Sequence, residues 1–503
     1  MRQRPEHARA GQMSSQDARG MQRGWTCAQG VCDCRMLLES VDYACHTPIM
    51  GRKPKQPNLE LTELLNEGAI SRGGLARRIN DAGRAVGLDL SYDHTSVGRW
   101  LSGEQPNPPA PQLIAAAFSE ILGRRIVPAD CGMSASSGSG DLGLEFSLSL
   151  SEALGSVTTL WRADIERRRY LLDASYAVAV YPAASMRWLT MPGPDHPVSA
   201  GRRRVGSVDV EGVLAMTRTF RDLDNRAGGG RVRSTIVHYL HSSVAPLLRG
   251  SYAETIGRPL FSAAAELTKI AGWAAYDQEE HGLAQRYLIQ ALRLARAAND
   301  RGLGAEILAA MSHQATYVGR PGDAIDLARA ARMTARATSS AALESECHLA
   351  EAHGHAARQD NSSCAASLSA AERSFEKVDR TGCPEWLSYF DAAYMSAKTA
   401  HCFRELGDDA RAARFAEQSL QMSSGYQRGR AFNLTLLASA RTAEDPLEAV
   451  RVGREAVELV SAISSQRSYA YLRELRRRLD RHKGLPEVAD FQHEVQILTT
   501  RPY

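Results

Sequence analysis

The sequence predicts an all-α protein made of a small helical head, a flexible linker and a long body of repeated helix pairs. Three observations carry that expectation. Aromatic residues are only 6% of the 503 residues while 44% are hydrophobic, so the cores must be filled mainly by Ala, Leu and Val, which suits close-packed helices better than strand-rich sandwiches. Helical periodicity dominates residues 208–482. Within that stretch a small-residue stripe returns as Ala284/Leu288/Ala291, Ala324/Ala328/Ala331, Cys364/Leu368/Ala371, Ala412/Ala416/Ser419 and Ala449/Gly453/Ala456. Its first positions lie 40, 40, 48 and 37 residues apart, long enough for two helices and a turn in each period.

The elements follow in order. Residues 1–49 are polar, rich in Arg, Gln and Gly, and without periodicity, so a disordered leader is expected, with Met50 opening a more protein-like stretch as an alternative start. Its Cys27, Cys32, Cys34 and Cys45 match no common metal-knuckle spacing. Residues 50–130 read as a head of four short helices. Leu61, Leu64 and Leu65 mark the first; Ser71 caps a second that turns Leu75, Ala76 and Ile79 inward. Asp93 caps a third, with Val97, Trp100 and Leu101 inward, after a connection spanning roughly 81–92. Pro109 or Pro111 starts a fourth that carries Leu113, Ala117, Ile121 and Leu122. A flexible linker is expected over 131–147, centred on the Ser/Gly run at 134–140. Connecting helices follow at 148–169 and 171–190, then a loop at 191–207, the repeats at 208–482 and a C-terminal tail at 483–503.

Composition narrows the function. The formal charge is +4, and only six of the 61 basic residues are Lys. Nine cysteines, an odd number in so long a chain, form no disulfide framework and fit a reducing, cytoplasmic setting. The N-terminus lacks the apolar core of a signal peptide, and the most apolar window, 171–191, is interrupted by Asp173, Pro182 and Arg187, so no membrane segment is expected. Enzyme signatures are missing: there is no Gly-Lys dipeptide and no His-Glu-x-x-His, and Gly228-Gly229-Gly230 reads as a turn. His348, Glu351 and His355 share a helical face, but no second cluster completes a metal site. Neither enzyme activity nor a cofactor is expected, and no metal.

Helical geometry gives the third helix two faces. At 100° per residue Val97, Trp100 and Leu101 cluster on one side, and Thr95, Arg99 and Ser102 fall near the other, flanked by Ser96, with His94 in the first turn. Such a polar face suits base edges: Arg99 can take guanine bidentately, and Thr95 and Ser96 serve bases or phosphates. Arg72, Arg77, Lys53 and Lys55 are the candidate phosphate contacts. Ten basic against eight acidic residues between 50 and 125 leave this region only +2, so a homodimer binding two half-sites of double-stranded DNA is expected.

Residues Ser71-x3-Leu75-Ala76-Arg77-Arg78-Ile79 and His94-Thr95-Ser96-Val97-x-Arg99-Trp100-Leu101-Ser102-Gly103 resemble the lambda-repressor-like (Xre) helix-turn-helix. The small-residue stripe resembles the second helix of a tetratricopeptide (TPR) repeat, with Gly272 the best match to its first helix. The combination, including 220–241 and 271–314, resembles actinobacterial regulators that join an Xre-type head to a TPR-like body. That resemblance implies a sequence-specific transcriptional regulator related to negative regulators of sporulation and antibiotic production. A TPR-like solenoid also offers a concave surface for a peptide or protein ligand, with Trp273, Tyr276, His313, Tyr317 and Tyr394 as groove residues from its first helices. The alternative is a TPR-like protein-interaction adaptor that binds no DNA.

Overall fold

A computed structural model describes residues 57–85, 90–106, 110–124, 126, 128–133, 141–166, 171, 174–193 and 195–500. They are overwhelmingly helical; the one sheet among them is a two-residue antiparallel ladder pairing Ser199–Ala200 with Ser251–Tyr252. The leader at 1–49 lies outside the described residues, as do Lys53 and Lys55.

The head contains α1 (Leu59–Glu67), α2 (Arg72–Ala85), α3 (His94–Leu101) and α4 (Ala110–Leu122), followed by a 3-10 turn at Pro128–Cys131. Leu61, Leu75, Ile79, Val97, Trp100, Ile114 and Phe118 form its core. Asn58 ties the head together: its side chain caps α1 by accepting from Leu61 N, its amide donates to Cys131 O, and its backbone N–H donates to Leu101 O. Of the α4 residues read from the sequence, Ala117 is buried and Leu113, Ile121 and Leu122 pack against the core from its margin. Ala110, Ile114 and Phe118 are buried as well. The α2–α3 connection is shorter than expected, because α2 runs on to Ala85.

The expected linker is not uniform. Cys131 and Met133 belong to the head core. Residues 141–147 are a packed strap: Phe146 is buried, Gln290 donates to Gly143 O and Glu145 O, and Arg293 donates to Ser147 O. Apolar burial and buried donors that need acceptors hold this segment down. Two helices follow, α5 (Leu150–Ile165) and α6 (Val180–Thr190). The second is shorter than the expected 171–190: Gln285 bonds both the N–H and the C=O of Ala177, holding 174–177 outside the helix.

The body comprises α7 (Ser207–Ala227), α8 (Gly229–Tyr239), a π turn at Leu240–Val244, α9 (Ala245–Leu248), then α10 (Glu254–Asp277), α11 (His281–Ala298), α12 (Arg301–Tyr317), α13 (Pro321–Ala335), α14 (Ala341–Ala357), α15 (Asn361–Phe375), α16 (Ala392–Glu405), α17 (Asp409–Ser419), α18 (Gln427–Arg441), α19 (Pro446–Ala462), α20 (Gln466–Arg478) and α21 (Pro486–Thr500). From α10 to α19 consecutive helices pack as pairs, and each first helix also meets the first helix of the next pair. The small-residue stripe sits on the second helix of every pair and is buried throughout. A Cβ at Gly272 would stand 2.9 Å from the Tyr287 Cβ, so glycine there permits the closest approach of α10 to α11. Left-handed residues end successive helices at Glu279, Asn299, Gly319, Ser339 and Gln359, twenty residues apart each time. The next, Gly407, comes later because 376–391 inserts two 3-10 turns before α16. The segment expected as a tail is mostly helix: Val488, Phe491 and Val495 of α21 are buried, with the Phe491 ring lying where a Gly453 Cβ would be.

The body also closes on itself. Arg428 on α18 makes a bidentate pair with Asp224 on α7, at 2.8 and 2.6 Å. Ser464, in the turn after α19, donates its N–H to Ala227 O and accepts from Gly230 N. The glycine triplet read as a turn is the seam of this closure. A Cβ at Gly228 would lie 2.4 Å from Ser464 O, and one at Gly229 2.5 Å from Ala274 O. Among the described residues no helix is long and apolar enough to cross a membrane.

Candidate nucleic-acid interface and ligand cavity

The head's polar face is built by a short helix fixed at its start and fed by a clamped turn. Asp93 accepts from Ser96 N at 2.8 Å, and the Ser96 hydroxyl donates to the same oxygen at 2.9 Å. The Ser96 backbone N–H, then its hydroxyl, hold the Asp93 carboxyl below its ordinary value. Asn80 on α2 accepts from Tyr92 N at 3.0 Å and donates to Tyr92 O at 2.9 Å, while the Tyr92 ring meets Trp100 edge-on with centroids 5.1 Å apart. These contacts fix α3 against α2.

His94, Thr95, Arg99 and Ser102 are exposed on α3 and at its end. Arg99 keeps a side chain 59% exposed and sits 3.9 Å from Glu104, a loose surface pair of small energetic weight. Arg72 and Arg77 are exposed on α2, and Arg72 leans across α3 at Gly98. Ser96 departs from the expectation: it is buried, its hydroxyl is bound to Asp93, and its task is capping, so it cannot face a groove. The Ser102 hydroxyl donates back to Arg99 O.

The body carries a partly open cavity of about 250 Å³. Every first helix from α10 onward supplies a wall residue: Trp273, His313, Glu346, Lys398, Arg428 and, from α20, Arg467. The 376–391 insertion closes one side with Trp386 and Tyr389, and Glu385 anchors it to Arg218 and Arg221 on α7. Of the expected groove residues, Trp273, His313 and Tyr394 line the cavity. Tyr276 and Tyr317 do not; they stand behind Arg467, whose guanidinium lies 4.1 Å from the Tyr276 centroid and 5.3 Å from that of Tyr317. The lining is rich in polar groups, a feature hidden from the sequence because they come from seven helices and two loops. Lys269 and Tyr389 both bond Glu306 at 2.8 Å, and Tyr394 donates to Glu346 at 2.9 Å. Lys398 contacts His313 Nδ1 at 2.9 Å. An ammonium only donates, so that nitrogen accepts and the imidazole is neutral. Burial, then Lys398 and Arg467, push His313 well below its usual value.

The His348/Glu351/His355 face is structural. Glu351 pairs with Arg329 at 2.8 Å and Arg332 at 3.4 Å, and no metal-holding group of His, Cys, Asp or Glu occurs among the described residues.

A family model described as the SP15 N-terminal domain matches residues 61–134, which spans α1 through the Pro128–Cys131 turn. No curated protein matches the chain.

Proposed function

We propose that the chain is a sequence-specific, DNA-binding transcriptional regulator whose TPR-like body senses a ligand, and that it acts as a homodimer on two half-sites. The observation that carries this reading is α3. It is a capped amphipathic helix, anchored inward by Val97 and Trp100, that presents Arg99 and Thr95 outward behind an exposed His94. In a helix-turn-helix the second helix lies in the major groove and its first residues meet base edges. Arg72 and Arg77, exposed on the preceding helix, are placed for phosphates. The cavity in the body supports the sensing half: occupancy there would shift the balance between conformations that hold two heads at different spacings.

The small head charge favours one other reading, a protein-interaction adaptor that binds no DNA. Selection from random duplexes with the full chain separates the two. The regulator reading expects an enriched motif with two half-sites and an affinity that falls as salt rises. Retention of no duplex at low salt would leave the adaptor.

A further inference from the structure

The cavity holds cations that the fold leaves unneutralised. Two other buried cations carry a carboxylate: Arg428 has Asp224, and Arg293 has Asp195 at 2.7 Å. Lys398 and Arg467 are equally buried, at 6% and 5% exposure, yet neither has a carboxylate within ion-pair distance among the described residues. The Arg467 Nε has no hydrogen-bond partner, and its guanidinium is held only by ring faces, Tyr276 at 4.1 Å and Phe432 at 4.7 Å. Asp277, which senses Arg467 electrostatically, is engaged by Gly229 N, Ser465 Oγ and Arg428. Burial pushes Glu346, which lies beyond ion-pair distance from Lys398, up to about 7 and pushes Lys398 down, and the two charges support each other only weakly across that gap. An unpaired buried charge is costly. Glu306 and Glu346 also line the cavity, each with one carboxyl oxygen left without a partner, but both are bound through the other oxygen, whereas the Arg467 guanidinium has only ring faces beside it.

We propose that this cavity is a receptor site for a small molecule bearing a terminal carboxylate or phosphate on a flat apolar body, with Arg467 and Lys398 as the anion clamp. The Trp273 ring, stacked on His313 at 5.4 Å, and Phe432 supply the surface for the apolar body. The cavity's size fits a small molecule. A void of about 150 Å³ holds one benzene ring, so about 250 Å³ suits a fused bicyclic acid. The proposal deepens the sensing half of the regulator reading and rests on it for its biological consequence, but binding is measured without DNA.

Titration calorimetry of the full chain with 1-naphthoate, 1-naphthyl phosphate and neutral 1-naphthamide tests it. At least one anion is expected to bind with a dissociation constant of millimolar or better, and the amide at least tenfold more weakly. Arg467→Gln and Lys398→Met should each weaken the anion at least tenfold, with circular dichroism and thermal midpoints showing that each variant is folded. The carboxylate and phosphate arms distinguish the two sources of the anionic group. Binding of neither anion, equal binding of the amide, or unchanged affinity in both folded variants would overturn the proposal. Anion binding by a chain that retains no duplex would leave it standing and refute the DNA reading alone.

Discussion

At the scale of single residues, burial separates two roles within one turn of α3. Ser96 and Arg99 are three positions apart, yet one hydroxyl is consumed by the Asp93 cap while the other side chain reaches into solvent. Under the proposed regulator reading, Arg99→Ala is expected to cost about 1–3 kcal/mol of discrimination at one base position, read as a flattened preference there in duplex selection. Arg77→Ala should weaken all sequences alike and lower the salt dependence of binding, because a phosphate contact carries no base information. Uniform losses from both would reverse the orientation assigned to α3. Ser96→Ala is expected to act through stability instead. It removes the hydroxyl from a capping box, and loss of a cap typically costs about 1 kcal/mol. Its signature is a lower unfolding midpoint of the head with the base preference unchanged; a changed preference in a head of unchanged stability would restore Ser96 to the interface.

Elements were legible wherever a local rule suffices. The caps at Ser71 and Asp93, the inward Leu75 and Trp100, and the small-residue stripe are all governed by neighbours within one or two turns, and the structure places them as read. Helix ends at Glu279, Asn299, Ser339 and Gln359 were not, because residues other than glycine occupy the left-handed position and the usual punctuation is missing. The 174–177 strap and α21 were equally hidden, since a distant Gln285 side chain decides the first and burial of Phe491 over Gly453 the second. The cavity was half legible: the choice of first-helix residues pointed to Trp273, Tyr276, His313, Tyr317 and Tyr394, of which the first, third and fifth line it, but Lys398 and Arg467 come together only through the closure of the whole body. That closure gives a test at this scale. Gly229→Ala drives a methyl against the Ala274 carbonyl, and overpacking of this kind costs about 1–3 kcal/mol. Gly322→Ala on α13 meets nothing within 4 Å and should be neutral or mildly stabilising. Comparable urea midpoints for the two variants would show that the seam yields.

At the scale of the molecule, the interior of the body is a store of neutral imidazoles, and its stability must follow pH. Burial pushes His281 down to about 4 and His353 to about 3, and His313 and His401 well below the ordinary histidine value, with Lys398, Arg404 and Arg467 adding to the effect. In the unfolded chain each imidazole takes its proton near pH 6.5. Between that value and the depressed folded ones the unfolded state holds more protons, so stability is fully present above pH 6.5 and is lost as pH falls. Each group contributes a slope of about 1.4 kcal/mol per pH unit inside its window. Glu346 works the other way. With its carboxyl raised to about 7, the folded state holds the extra proton from pH 4.5 upward, and its contribution declines as pH rises toward 7. His348 is lowered as well, and Asp224 and Glu280 are raised along with Glu346; five imidazoles outweigh three carboxyls, so the urea midpoint of the body should drop between pH 7 and pH 5. His353→Gln should flatten that dependence by about one proton, because a neutral amide has nothing to titrate. A midpoint that held level or rose on acidification would mean that the imidazoles are charged in the folded state. Lys398 could then no longer donate to His313, and the cationic wall of the cavity would have to be neutralised by groups other than those that now surround it.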